Sequence, residues 1–170
     1  MPHILSRKTS YNPLPQHTLR QTPNDILVDT KKHNPKTVGN IVISGKKSFV
    51  SDITSALNLL LEKDPKNWEF VQKNLTEILE SEHSGVTCEE GIFKFKNKPY
   101  NSKWIASVLI HESWHIEYFL TGEPYDGEEA ERRCMEKQNE FLALVGYKKI
   151  NIEKLLKTKY WEVDYEERDW

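Results

Sequence analysis

The stretch of this 170-residue chain best equipped for chemistry is His111-Glu112-Ser113-Trp114-His115. Between Lys103 and Glu117 its two histidines and one glutamate are the only ionisable side chains; the rest are apolar, aromatic or serine. A helix that is apolar nearly all round is a buried helix. Imidazoles and a carboxylate inside a core are costly without a partner, and a divalent metal supplies one. Histidines four apart share a helical face and can bind one ion. Zinc suits imidazole and keeps a position for water when the protein gives three ligands. Glu112 sits about 100° further round the helix, placed to lean over that water without ligating.

Helical phase predicts the third ligand. With Glu131 at zero and about 100° per residue, Cys134, Met135, Gln138, Phe141, Leu142 and Val145 all fall on its side of the helix. Glu128 lies at the edge of that stripe and is held in reserve, while Glu129, Glu136 and Glu140 point away. An acid centred on an apolar face is expensive unless it meets a cation, so Glu131 is the expected ligand. Register agrees: His115 and Glu131 each lie about 7.5 Å from the connecting turn, level in an antiparallel hairpin. Cys134 reads as a small residue that lets the helices pack closely, with thiolate ligation as the alternative.

Zinc on His111, His115 and Glu131 would lower the pKa of a bound water to about 7. Glu112 would take its proton and pass it to a leaving amine. A further donor for the tetrahedral oxyanion is expected, with His83, Tyr118, Tyr125 and Tyr147 as candidates. A site that has a base is a site for catalysis, which makes a zinc-dependent metallopeptidase the expected function. A toxin- or effector-type enzyme with one dedicated protein target would use the same chemistry. A non-catalytic zinc-binding interaction module is the reading from another class.

His111-Glu112-Ser113-Trp114-His115 followed by Glu131-Arg132-Arg133-Cys134 resembles the gluzincin branch of the zincin metallopeptidases, across about 86–146. It is also similar to small bacterial and phage-associated domains of unassigned activity with such a two-helix core. The gluzincin resemblance implies a third ligand from a downstream glutamate, often followed three residues later by a small residue such as alanine, where Cys134 stands here. It also implies a sheet over the active-site helix, with an edge strand from 86–96 that pairs with extended peptide.

The elements that must position these groups are legible in part. Ile41-Val42-Ile43 between Gly39 and Gly45 predicts a strand. Ser51 is the expected N-cap of a helix carrying Ile53, Ala56, Leu57 and Leu60. Asp64-Pro65 predicts a second helix with Trp68, Val71, Leu75, Ile78 and Leu79 on its buried stripe. Val86-Thr87-Cys88 and 92–96 flank a predicted hairpin turn. Asn101 or Ser102 caps the motif helix over about 103–120, and Asp126-Gly127-Glu128-Glu129 has capping-box spacing for the next, over about 127–145, with Gly146 as its stop. A short helix is expected near 152–158. The predicted class is α+β, with a zincin-like core of two ligand-bearing helices and a small, mostly antiparallel sheet.

Outside residues 39–159, the expected catalytic domain, the ends differ in charge. Residues 1–38 hold six basic residues, two acids and five of the eight prolines, and read as an arm without regular structure. Residues 160–170 form an acidic, aromatic tail in which Tyr160, Trp161, Tyr165 and Trp170 either pack on the surface or plug the cleft. Net charge of −2 excludes a chain-wide nucleic-acid binder, and the arm has one aromatic, Tyr11, and no stacking platform. Two cysteines, Cys88 and Cys134, exclude a disulfide scaffold. With no signal-like start and no long apolar run, the expected location is cytoplasmic, specialised secretion remaining open, and the expected partner a peptide or protein substrate. Substrate, specificity and oligomeric state are left open.

Overall fold

A computed structural model describes residues 35–162. Chain order is β1 (Lys36–Val38), β2 (Ile41–Ser44), α1 (Lys47–Lys63), α2 (Pro65–Asn74), β3 (Glu77–Ser81), β4 (Gly85–Thr87) and β5 (Ile92–Lys96), followed by α3 (Ser102–Thr121), α4 (Gly127–Leu144), α5 (Ile152–Leu156) and a 3-10 turn, Tyr160–Glu162. The class is α+β, as predicted.

The five strands form one sheet in the order β1-β2-β3-β5-β4. It is mixed rather than mostly antiparallel: β2–β3 and β3–β5 are parallel, β1–β2 and β4–β5 antiparallel. The cause is connectivity. Two helices intervene between β2 and β3, and such a long crossover returns the chain to run in the same direction. The predicted hairpin is β4–β5, with Thr87 opposite Ile92, and it puts β4 at the sheet edge. Ile41 and Ile43 of β2 and Phe93 and Phe95 of β5 alternate inward, as strands with one covered face do. They join Ile53, Leu57 and the apolar residues of α3 in one core.

Three local expectations change. Ser51 lies inside α1, which starts at Lys47. Phe49 is buried in its first turn; the amide of the N-cap residue Lys46 donates to Glu80 Oε2 at 2.6 Å, and no side chain among the described residues caps the amides of the first turn. The helix opened by Asp64-Pro65 is α2, with Asp64 Oδ1 accepting from the Asn67 amide at 3.2 Å. It ends at Asn74, and Leu75 is already extended. Ile78 and Leu79 belong to the central strand β3; their spacing suits either period, and parallel pairing on both sides decides for the strand. β1 occupies the last residues of the arm read as irregular; calls on 1–34 and on 163–170, including Tyr165 and Trp170, lie outside the described residues.

The motif helix is α3. Asn101 caps it, accepting from the Lys103 amide at 2.8 Å. Gly122 stops it at φ 74°, the left-handed conformation that lets Glu123 N reach Tyr118 O at 2.8 Å. α3 packs against α1, α2 and α4 and alongside β4. Asp126 stands at the N-cap position of α4 without making the predicted side-chain cap bond. Its residue lines a cleft instead. No helix among the described residues is long and apolar enough to cross a membrane.

Candidate metal centre

On α3, His111, Glu112 and His115 are all buried, at 3%, 6% and 7% exposure. The buried face of α4 carries Ala130, Glu131, Cys134, Met135, Gln138, Phe141 and Leu142. The stripe predicted around Glu131 is found here, with Ala130 added and Val145, at the C-cap, only half-buried. Glu128, the reserve acid, is exposed and pairs with Arg132 across one turn of α4.

The two histidine rings meet through Nε2 atoms 3.0 Å apart. Glu131 Oε2 lies 3.2 Å from His111 Nε2 and 3.8 Å from His115 Nε2. His115 Nδ1 is 2.6 Å from the Tyr125 carbonyl in the connecting turn. A carbonyl only accepts, so Nδ1 carries the proton and donates, which fixes the ring and aims Nε2 at the cluster. Two donors held about 2.0–2.1 Å from a tetrahedral zinc lie about 3.3–3.4 Å apart. The three observed separations fall around that value, and one carboxylate with two imidazoles is a donor set that zinc accepts. His111 Nδ1 is buried with no hydrogen-bond partner, so Nε2 provides this ring's polar contacts among the described residues. These residues fit a metal ion.

Electrostatics point the same way. Burial works to raise the Glu131 pKa, but hydrogen bonds and charge from His111 and His115 outweigh it and hold the carboxyl far below its ordinary range. Burial works to lower that of His115, yet Cys134 and Glu131 raise it well above the ordinary value. A positive charge in this cluster is stabilised from several sides.

Two neighbours enter that the sequence offered only as alternatives, Cys134 as a thiolate ligand and Tyr160 as part of a cleft plug, and Tyr160 and Trp161 do line the two cavities beside the cluster. Cys134 is fully buried, and its Sγ and one nitrogen from each histidine all lie within 4.8 Å of one another. Its position three residues after Glu131, on the same face, was the available signal. The Tyr160 hydroxyl donates to Glu131 Oε2 at 2.5 Å, and burial and then the adjacent carboxylate push its pKa up. No spacing rule links Tyr160 to Glu131 across 29 residues; the chain after α5 brings it back.

Two cavities flank the cluster. The larger, about 390 Å³, is bounded by Gly85 and Val86 of the edge strand together with Glu112, His115, Glu131 and Trp161. The smaller, about 120 Å³, is walled by Phe95, Tyr100, Trp104, Val108 and Met135 and reaches His111, Glu112 and Tyr160. Glu112 therefore borders both. Of the four oxyanion candidates, Tyr125 alone lines either cavity, while its carbonyl orients His115. Tyr118 is packed under the Arg133 guanidinium, 3.9 Å from its ring centroid, and His83 and Tyr147 border neither space. No protein-family model, curated protein or solved structure matches the chain.

Proposed function

We propose that the chain is a gluzincin-like, zinc-dependent metallopeptidase. His111, His115 and Glu131 would hold the metal, and Glu112 would act as the general base. The observation that carries this reading is the convergence of His111 Nε2, His115 Nε2 and Glu131 Oε2, at 3.0, 3.2 and 3.8 Å, on a floor shared with the buried Glu112. Zinc bound there supplies a Lewis acid and an acidified water. The chain's own residues do the rest. The Tyr125 carbonyl orients the His115 imidazole through Nδ1, and Glu112 takes a proton from water and returns it to the leaving amine. Edge strand β4 borders the larger cavity and supports the docking of an extended peptide beside the site.

The test is Glu112→Gln. It is expected to retain one zinc per chain while hydrolysis of a peptide library falls at least about a hundredfold, the lower range for loss of a general base. Hydrolysis at the wild-type rate overturns the assignment. The Cys134 thiol beside the histidines favours a second reading, a non-catalytic zinc module closed by four protein donors. A zinc-loaded wild type and a zinc-loaded Cys134→Ala variant that both cleave nothing in the library would decide for it.

A further inference from the structure

We propose that Cys134 is the fourth donor of this centre, so that the resting protein holds its ion between two imidazoles, a carboxylate and a thiolate. The inference rests on the metal reading above and deepens it, because three protein donors leave a corner for water and four do not.

The placement comes from two helices, each contributing a pair. His111 and His115 are four apart on α3; Glu131 and Cys134 are three apart on α4. Both spacings project side chains from one helical face. The sulfur is fully buried beside the two histidines, and the donor atoms that cluster there are those of His111, His115 and Cys134. Sulfur and nitrogen ligands of a tetrahedral zinc stand about 3.5 Å apart. The observed limit of 4.8 Å among Sγ and the two nitrogens is within a small side-chain adjustment of that. A residue needed only for close packing gains nothing from a polarisable donor aimed at two imidazole nitrogens, whereas a metal gains a soft ligand. With the thiolate in place no corner remains for water, so wild-type hydrolysis would come only from the fraction of chains in which the thiol, reprotonated, has given up its place to a water molecule.

Cobalt(II) loaded into the full chain in place of zinc tests this by its spectrum. The wild type is expected to give visible ligand-field bands together with a near-ultraviolet thiolate-to-cobalt charge-transfer band. Cys134→Ser and Cys134→Ala should lose the charge-transfer band and keep the visible ones. Cys88→Ser should keep both, a necessary control because Cys88 lines the larger cavity. The alanine variant should also bind zinc at least tenfold more weakly, by competition with a chromophoric chelator, and hydrolyse peptides faster than the wild type. Visible bands without charge transfer in the wild type, or a band lost with Cys88, overturn the inference and leave the three-ligand centre standing. Absence of any cobalt spectrum removes that centre, and the fourth donor with it.

Discussion

α3 has two flanks made of opposite materials. On one, Ile105, Ala106, Leu109, Ile110 and Ile116 join Ile53, Leu57 and Phe93 in an apolar cluster. On the other, Ser107 receives a hydrogen bond from Gln138 at 3.0 Å, and His111 and His115 face Glu131. The apolar flank stabilises by removing surface from water, about 1.5–3 kcal/mol for each large aliphatic side chain, with little demand on direction. The α4 flank spends burial on groups that are costly unless each meets a partner at the right angle. One helix thus packs an apolar core on one side and gathers ionisable groups on the other. The apolar side fixes the helix against which the proposed metal centre would form.

Substitutions can test this division. The largest expected loss of stability is on the apolar flank: Leu57→Ala should cost about 2–5 kcal/mol, read from the urea midpoint, and leave one zinc per folded chain. A lost metal stoichiometry in folded protein would show that the flanks are not separable. On the other flank, Glu131→Ala should weaken zinc binding about a hundredfold, or about 2.7 kcal/mol. A competition titration giving wild-type affinity would take Glu131 out of the centre.

Acidity separates the metal-free from the loaded protein. In the metal-free chain, the lowered Glu131 pKa contributes stability that is complete above its ordinary 4.5 and is lost as pH falls towards its native value. The raised His115 pKa contributes stability that is complete below its ordinary 6.5 and is lost as pH rises through its native value. Metal-free protein should therefore draw most from this cluster between pH 4.5 and 6.5. With zinc, protons compete for the imidazoles, so stabilisation by metal should grow above that window. Thermal melts across pH with and without zinc check the crossing; parallel curves would contradict it. The smallest effect belongs to the surface: Glu153→Ala removes the exposed partner of Arg132 and should leave the urea midpoint unchanged.

Much of the site was legible because helical period is a local property. The spacing of His111 and His115, and the position of Glu131 mid-stripe among apolar neighbours, follow from about 100° per residue and need no knowledge of the sheet. What failed was of another kind. Ile78 and Leu79 fit a helical stripe as well as a strand, and parallel neighbours on both sides settled it. Ser51 offered a cap, but the helix begins earlier, at Lys47, where Phe49 is buried and Glu80 of β3 takes the Lys46 amide. For Tyr160 the sequence left surface packing and the cleft open, and the contact with Glu131 from beyond α5 decides for the cleft.

The amino-acid order alone determined which residues share a helical face, that α3 is buried, and which acid on α4 stands among apolar neighbours, because the 3.6-residue turn and the cost of burying charge act within a few residues. The mixed sheet, the inward turn of Cys134 towards two imidazoles and the arrival of Tyr160 at Glu131 were decided in three dimensions. Those contacts depend on distances between elements far apart along the chain, which packing sets and no local period encodes.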